Sequence, residues 1–377
     1  MSIAMRLVFL AVMLLVVGLM LRYIYARFLQ KIHFLPTAFN RIFIAVLALM
    51  LLFFMVQTAT HWAGLGSSAY TFFSFSIGII FILFVMALLY DITHTLGQKI
   101  PFSAARRNSI KLLFDSVMII IAVGYMLRGI WGGMRDPMLK RVDVKLSSGT
   151  LHGLRIVQLT DVHIGHSITK AFVESLVVRI NALESDIIVI TGDLIDAPLG
   201  HIEDALKPLE ALRSRWGVYF VLGNHDYFYD TQALLALLPS LGIEPLLNSS
   251  RRIDTPKGAF NLVGINDLMS KRAGFLPYDV DVAFSGVDSA LPTIVLAHQP
   301  KMTQFMTHQK YDLVLSGHTH GGQIFPFGLL VLFEQPYLAG LYRIDETRQI
   351  YVSRGTGYWG PAIRVLAPSE LTLLVIA

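Results

Sequence analysis

The sequence contains no cysteine among its 377 residues. Disulfides, thiolate metal sites and cysteine nucleophiles are therefore excluded, and the chain tolerates an oxidising compartment without requiring one. Charge is also scarce: 15% of residues are charged and 54% are hydrophobic, whereas soluble proteins are roughly 45–50% apolar. The apolar excess lies before about residue 131, and the remainder has the composition of a globular domain.

Runs of Lys and Arg with interleaved aromatic residues are absent as well. The formal net charge of +5 is carried mainly beside the hydrophobic stretches, where basic residues typically flank membrane-spanning helices. The positive charge therefore indicates the lipid bilayer as a partner, and no binding to nucleic acid is expected.

Four hydrophobic stretches predict an N-terminal all-α transmembrane region over residues 1–131. Each is close to the ~20 residues that cross a bilayer as a helix. The fourth contains Lys111, Asp115 and Arg128, so its burial in the soluble part is the alternative. Lys111 and Asp115 are four residues apart and can pair on one helix face. The predicted helices lie at about residues 5–25, 42–62, 70–90 and 110–131.

Basic residues are distributed unevenly over the predicted loops. The second loop, residues 63–69, has no charge. The positive-inside rule places the first and third loops in the cytoplasm. Four spans then put the rest of the chain outside the cytoplasm, whereas three would leave it inside. We expect a multi-pass plasma-membrane protein with an extracytoplasmic soluble domain. The first and third loops carry Arg22, Arg27, Lys31, Arg41, Lys99, Arg106 and Arg107.

The part of the chain after residue 131 has an α/β pattern. Residues 132–149 predict a linker, because Gly, Pro and charged residues return together there. Over residues 150–377, short β-branched runs alternate with helical patterns, as in α/β domains. The predicted strands are LRIVQLT, DIIVIT, VYFVLG, FNLVGI, TIVLA and DLVLS, and the predicted helices lie near 169–183, 203–213 and 231–238.

Five of these strands are followed by Asp, His or Asn, either directly or after one glycine. Sites in α/β sheets lie at the carboxyl ends of strands, so we expect these side chains to converge. The two histidines of SGHTHGGQI share a face, because alternate residues of an extended segment point the same way. The converging set is Asp161, His163, Asp193, Asn224, His225, His298, His318 and His320.

These residue types restrict the chemistry of the site. Carboxylate, amide and imidazole groups suit Mn, Fe, Zn or similar divalent ions. The set has more donors than one tetrahedral site uses, which favours two ions sharing one carboxylate. Such pairs of ions clamp the attacking and the leaving oxygen of a phosphoryl displacement. An unrelated collection of polar loop ends is the simpler alternative.

The motifs DVH, GDLID, GNHD, LAHQP and SGHTHGGQ, in that order, resemble those of the calcineurin-like metallophosphoesterase superfamily. RIVQLTDVHIG and YVSRGTGYWGP are similar to its bacterial, membrane-associated YkuE/YaeI-like branch, although Asp226 stands where that branch often has Glu. The resemblance covers about residues 150–377 and implies a two-sheet αββα sandwich.

The resemblance also implies a metal-dependent phosphoric ester hydrolase with two divalent ions, Mn being favoured and Fe or Zn the alternatives. A metal-bridging hydroxide would attack a phosphodiester or phosphomonoester. His225 would protonate the leaving oxygen or stabilise the phosphoryl oxygens, unless it only orients Asn224. One ion would be bound by Asp161, His163 and His320, the other by Asn224, His298 and His318, and Asp193 would bridge both.

Further residues are candidates for supporting these ligands. Asp226 could hold His225 in one tautomer or solvate a loop. Asp196 could contact the ligands from behind, or it could be a surface residue that caps a turn. Arg354 or Tyr358 could reach a phosphate, although a Gly-rich connector is the favoured interpretation of their segment. The glycines allow close backbone approach or an ordinary turn. The supporting candidates are Asp196, Asp226, Gly321 and Gly322.

The substrate is constrained only by the membrane anchor and by the resemblance. A bilayer tether favours a phosphoester of a lipid or cell-envelope component, and the related branch suggests UDP-diacylglucosamine-type hydrolysis. An extracytoplasmic domain argues against such a nucleotide-linked precursor. A catalytically silent metal-binding membrane sensor or scaffold is the alternative function. A third alternative is a transporter regulated by the soluble domain, and the only intramembrane charges that support it are Lys111 and Asp115.

Overall fold

The chain folds as two compact units. A computed structural model describes residues 3–60, 66–97, 104–146 and 149–377. The first unit, called the helical unit below, comprises the residues up to Met134 and the late segment Gly360–Val365. The second, called the α/β unit, comprises Arg135–Trp359 and Leu366–Ala377.

Four helices of the helical unit are long and apolar enough to cross a membrane. Their outward-facing side chains are largely aliphatic; Leu49, Leu113 and Ile120, for example, are 64–69% exposed. Apolar side chains on the outside of a helix bundle are suited to a lipid environment. The helices are α1 (Ile3–Arg27), α2 (Thr37–Thr60), α3 (Gly66–Gly97) and α4 (Ala104–Gly133).

Polar side chains inside the helical unit are paired. The buried Asp115 carboxylate accepts hydrogen bonds from the Tyr90 hydroxyl (2.8 Å), the Lys111 ammonium (2.6 Å) and the His33 backbone N–H (2.8 Å). The predicted pair of Lys111 with Asp115 is therefore present. Because three donors surround this carboxylate, its burial costs little and it holds the helices in register.

A six-stranded sheet forms one half of the α/β unit. Its order is β1-β12-β2-β3-β4-β5, with β2 to β5 parallel, β12 antiparallel to β2, and β1 parallel to β12. Three of its strands, β2, β3 and β4, lie in the predicted β-branched runs. The strands are β1 (Met138–Val144), β2 (Arg155–Leu159), β3 (Ile187–Thr191), β4 (Val218–Val221), β5 (Ile243–Pro245) and β12 (Glu370–Ile376).

A second six-stranded sheet forms the other half. Its order is β10-β11-β9-β8-β7-β6, with β7, β8, β9 and β11 parallel and an antiparallel strand at each edge. The strands are β6 (Ser249–Thr255), β7 (Gly258–Ile265), β8 (Thr293–Ala297), β9 (Leu313–Ser316), β10 (Gly340–Arg343) and β11 (Gln349–Val352).

The two sheets pack face to face between outer layers of helices. Alternation along β2 shows why: Ile156 lies in the core between the sheets, and its neighbour Val157 lies in the core under the helices. Each fully buried Ile or Val of this kind stabilises the fold by about 1.5–3 kcal/mol. The outer helices are α5 (Lys170–Asn181), α6 (Leu199–Leu206), α7 (Thr231–Leu237), α8 (Met269–Ala273), α9 (Val280–Phe284) and α10 (Phe327–Val331).

The architecture is thus the predicted one, four apolar helices followed by a two-sheet α/β sandwich, with one local difference. Residues 132–149, predicted as a linker, contain β1, whose seven residues all pair with β12. The strand MLKRVDV is an exposed sheet edge, so its polar composition resembles that of a connector. Lys99, residues 61–65 of the second span and second loop, and residues 147–148 lie outside the described residues.

Candidate metal centre

The carboxyl ends of five strands, three in the first sheet and two in the second, bring the predicted ligands together. A first group contains Asp161, His163 and His320, whose donor atoms all lie within 4.8 Å of one another. The Nε2 atoms of His163 and His320 are 3.1 Å apart, and Asp161 Oδ1 lies 3.4 Å from His320 Nε2. The His318 backbone N–H and the Thr160 hydroxyl donate to the Asp161 carboxylate and fix its position.

A second group contains Asp193, His298 and His318, again with donor atoms within 4.8 Å of one another. His298 Nε2 lies 3.1 Å from Asp193 Oδ2 and 3.1 Å from Asn224 Oδ1. The other ring nitrogen, Nδ1, is 2.8 Å from the Thr191 carbonyl. A carbonyl only accepts, so Nδ1 must be the donor, and the ring is oriented with Nε2 toward the oxygens of the site.

Asp193 connects the two groups. It also forms a cluster with His163 and His225, and its Oδ2 lies 3.8 Å from His163 Nε2. The seven predicted ligands therefore lie in two adjoining groups, and the Asp193 carboxylate of the second group also lies close to His163 of the first. This is the arrangement that a pair of divalent ions requires.

His225 lies at the edge of this cluster and is held by Asp196. Its Nδ1 is 2.8 Å from Asp196 Oδ1, and its backbone N–H donates to Asp193 Oδ1 (2.8 Å). Since Nδ1 is bound to a carboxylate, Nε2 is the ring atom that can donate to a substrate. The side chain remains 13% exposed, which gives a substrate access to it.

Asp226 has a different role from both roles considered for it. It is fully buried and accepts from the backbone N–H groups of Gly223, Asp193, Leu194 and Ile195 at 2.8–3.2 Å. The contact with the His225 ring belongs to Asp196 instead. Asp226 therefore fixes the backbone turn that carries Asp193. The turn is rigid because four backbone N–H groups donate to one carboxylate.

Five of the seven ligand candidates have strained backbones. Residues other than glycine rarely adopt the left-handed region, and each such residue costs about 1–3 kcal/mol unless its surroundings compensate. Such strain is concentrated at functional sites in proteins. The φ angles are +52° at Asp161, +54° at His163, +51° at Asp193, +68° at His318 and +50° at His320.

Burial and charge shift the titration of these groups in opposite directions. Burial lowers the pKa of His163 to about 4 and that of His318 to about 3, so both imidazoles are neutral, as metal ligands must be. Burial also raises the pKa of Asp161 to about 6. Burial lowers the pKa of His225, but Asp193 and Asp196 outweigh it and raise that pKa to about 9.

Asp193 and His298 form a tightly coupled buried pair. Burial alone would raise the carboxyl pKa of Asp193, yet the adjacent His298 holds it well below its usual range. Burial likewise disfavours the charged form of His298, and Asp193 raises that pKa well above the usual value. The two shifts show that this buried position favours a positive charge next to Asp193. A proton on His298 supplies it in the protein alone, and a divalent cation would supply it otherwise.

The residues present fit a divalent metal pair. The Nδ1 atom of His163 is buried and has no hydrogen-bond partner among the described residues, and its Nε2 faces another imidazole nitrogen. Two nitrogens at this distance share either one proton or one cation. The remaining donors are carboxylate and amide oxygens, which together with imidazole suit Mn, Fe or Zn.

The two glycines after His320 both have left-handed φ angles, +60° and +78°. A Cβ on Gly322 would lie 2.3 Å from Gly328 Cα, so only glycine fits there. A Cβ on Gly321 would meet the flexible Arg354 side chain at 2.9 Å. Close backbone approach is thus the function of Gly322.

The late Gly-rich segment closes the site through its backbone. The N–H groups of Thr356 and Gly357 donate to the carbonyls of Thr160 and Asp161 (2.8 and 3.0 Å). The Arg354 side chain lies 3.5 Å from Glu370. These contacts favour the connector interpretation of this segment, with the added task of holding the loop that carries Asp161.

Sequence reasoning missed Asp267, a buried residue two positions after β7. Its Oδ1 accepts from Gln299 Nε2 (2.9 Å) and from the Met269 N–H (2.7 Å), and burial raises its pKa to about 6. Gln299 is the neighbour of His298 in the chain. The signal was available, because β7 is a predicted buried strand that is followed by Asn266 and Asp267, and the other five predicted strands are also followed by Asp, His or Asn.

Comparison with known proteins agrees with this geometry. A family model of calcineurin-like phosphoesterases matches residues 154–322. An uncharacterized metallophosphoesterase of Helicobacter pylori is 40% identical over 297 residues, 78% of either chain. A transmembrane protein with metallophosphoesterase domain from Danio rerio is 33% identical over 339 residues, 86% of this chain and 76% of that one.

A more distant relative is the UDP-2,3-diacylglucosamine pyrophosphatase LpxG of Chlamydia trachomatis, 29% identical over 313 residues that make up 66% of this chain and 92% of that one. The superfamily expected from the motifs is confirmed, while the YkuE/YaeI-like branch stays a prediction. With its four apolar helices and its two-sheet domain, the chain is a membrane protein that belongs to the calcineurin-like metallophosphoesterase family.

Proposed function

We propose that this protein is a membrane-anchored phosphoesterase that hydrolyses phosphodiester or phosphomonoester bonds with a pair of divalent metal ions. The observation that carries the proposal is the convergence of the two ligand groups on the shared Asp193 carboxylate. A single structural ion would leave one of these groups, with its strained backbone and facing imidazoles, without a purpose.

Each ligand group would hold one ion. Such a pair, when bound, supplies Lewis acidity and water that is deprotonated near neutral pH. Manganese is the favoured metal, with iron or zinc also compatible with the donors. The ligands would be Asp161, His163 and His320 for one ion, Asn224, His298 and His318 for the other, and Asp193 for both.

His225 would act on the leaving group. Its Nε2–H can donate a proton to the ester oxygen as the P–O bond breaks, so that an alcohol rather than an alkoxide departs. Asp196, 2.8 Å from Nδ1, keeps the ring in the orientation and tautomer that this transfer needs. Asp226 supports the reaction indirectly by fixing the backbone of Asp193 and of the two residues after it.

The substrate is proposed to be a lipid or cell-envelope phosphoester, and the catalytic domain to lie outside the cytoplasm at the plasma membrane. The four apolar helices support a membrane substrate. The similarity to LpxG supports a lipid-linked phosphoester as the substrate class, whereas the proposed extracytoplasmic position argues against the nucleotide-linked precursor itself. Because the chain has no cysteine, a single Val178→Cys variant labelled in intact cells with a membrane-impermeant maleimide would test the orientation. Labelling only after lysis would contradict the extracytoplasmic position.

Hydrolysis by the full-length protein in detergent tests the enzymatic proposal. We would measure turnover of bis-p-nitrophenyl phosphate and p-nitrophenyl phosphate after chelation and after adding Mn, Fe or Zn, with Asp193→Asn beside the wild type. Metal-dependent turnover that is lost in Asp193→Asn supports the phosphoesterase. Tight metal binding without turnover of either ester would favour the alternative, a catalytically silent metal-binding membrane sensor or scaffold.

A further inference from the structure

The segment that follows the last metal-ligand loop is apolar and exposed. Residues 325–333, FPFGLLVLF, contain no charged residue and include the short helix α10. Soluble surfaces rarely present a contiguous apolar patch of this kind unless it binds something. The exposed fractions are 50% for Phe325, 41% for Phe327, 59% for Leu329, 56% for Leu330, 47% for Leu332 and 88% for Phe333.

This apolar segment is held at both ends by the loops of the metal centre. At its start, Gly322 packs against the Gly328 backbone so closely that no side chain fits between them. Just beyond its end, the buried Gln335 donates to Gln299 Oε1 (3.0 Å) and accepts from the Lys301 N–H (3.0 Å). Gln299 adjoins the ligand candidate His298, so the segment has a fixed position beside the site.

Two further exposed aromatic residues continue this surface to His225. The ring centroids of Phe228 and Trp359 lie 5.1 and 5.8 Å from that of His225, and their exposed fractions are 56% and 52%. Gln323, two residues before the segment, exchanges two hydrogen bonds with the Trp359 backbone (2.8 and 3.0 Å). Gln323 therefore links the apolar segment to the two exposed aromatic residues beside His225, the residue proposed to protonate the leaving group.

We infer that this surface docks on lipid and receives the hydrocarbon part of an amphiphilic phosphoester while its phosphate enters the metal centre. The bilayer is the occupant that the molecule itself supplies, because the same chain carries four helices fit to span it. The absence of charge over the segment suits hydrocarbon rather than a polar partner, and Trp is a residue typical of membrane interfaces. The inference rests on the proposed phosphoesterase function and assigns the surface by which that site would take a lipid substrate from the bilayer.

Lipid contact is testable without any assay of activity, because the chain has no cysteine. Leu330→Cys and Phe333→Cys would carry an environment-sensitive NBD label in the full-length protein, reconstituted into phosphatidylcholine–phosphatidylglycerol vesicles with doxyl-labelled lipid. Val178→Cys is the matched control, an apolar residue on α5 that is 69% exposed. We expect blue-shifted emission and quenching at positions 330 and 333 only. Equal emission and quenching at all three positions would overturn the inference.

Substrate preference gives the second test. p-Nitrophenyl hexadecyl phosphate and p-nitrophenyl methyl phosphate share a leaving group and differ only in the alkyl chain. We expect the wild type to prefer the hexadecyl ester in kcat/KM by about tenfold or more, equivalent to about 1.4 kcal/mol. Leu330→Ser/Phe333→Ser should abolish this preference, and Val178→Ser should keep it. An unchanged preference in the double variant would contradict the inference. If neither ester is hydrolysed by the wild type, the proposed phosphoesterase function is wrong, and the NBD fluorescence at positions 330 and 333 still decides whether the surface contacts lipid.

Discussion

Both units of the chain contain buried aspartates, but the partners and the backbone conformations of these aspartates differ. In the helical unit, Asp115 has a hydroxyl, an ammonium and a backbone N–H as donors, and every contact serves packing. In the α/β unit, Asp161 and Asp193 face imidazole nitrogens across short gaps and stand on left-handed backbone. A buried charge with full partners indicates structure, whereas a buried charge with strained, proton-sharing neighbours indicates a ligand that has to bind.

The largest effect that would sharpen this comparison is expected at Asp193. Asp193→Asn removes the negative charge shared by both ligand groups and should lower kcat about 10⁴-fold, because several kcal/mol of Lewis-acid stabilisation are lost at about 1.4 kcal/mol per factor of ten. Metal content by mass spectrometry should fall from two ions per chain to one or none. Retention of two ions and of activity would show that Asp193 does not bridge.

His225→Ala is expected to lower kcat by about 10²–10³-fold without changing the metal content. If His225 protonates the leaving oxygen, the loss must be greater for alkyl phosphoesters, whose alkoxides are poor leaving groups, than for nitrophenyl esters. Rates for a matched pair of alkyl and nitrophenyl phosphodiesters measure this. Equal losses would assign His225 to stabilising the phosphoryl oxygens, and loss of an ion would make it a ligand.

Asp196→Asn should have a smaller effect, about 10- to 100-fold on kcat, because Asp196 acts only by orienting His225. The two residues then work as one unit. In a double-mutant cycle, Asp196→Asn/His225→Ala should be no slower than His225→Ala alone. Additive losses would mean that Asp196 contributes independently of the histidine.

Asp115→Asn provides the opposite test on the helical side. It should leave kcat and metal content unchanged. It should lower the free energy of unfolding by about 1–3 kcal/mol, because hydrogen bonds to a charged carboxylate are weakened. Unfolding of the detergent-solubilised protein followed by circular dichroism would show the loss. A fall in turnover without loss of stability would instead revive a functional role for the polar cluster in the membrane helices.

Much of the α/β unit follows from local sequence signals. Strands such as β3 and β8 are fully buried, so their β-branched composition reveals them, and the residue after each strand is placed by the rule for α/β sheets. The edge strands β1 and β6 were not predictable in this way. Their sequences contain several charged residues because an edge strand is exposed, and such a sequence resembles that of a loop.

The supporting residues of the site were harder to assign, because their roles depend on where loops fold back. Asp196 follows Asp193 by three residues, and Asp226 directly follows His225, so either could be expected to hold the His225 ring. Only the folded loops show that Asp196 contacts the His225 ring and that Asp226 accepts from backbone N–H groups. The exposed apolar segment was missed for a similar reason. A run of Phe and Leu suggests a core helix, and its exposure depends on tertiary packing.

The most direct test of the central claim is a metal titration of the chelator-treated, full-length protein, with bound Mn and hydrolysis of p-nitrophenyl methyl phosphate measured in the same samples. We predict no turnover without metal, two ions bound per chain at saturation, and full activity only when both are present. Turnover by the metal-free protein, or two bound ions without any turnover, would contradict a two-metal hydrolytic centre.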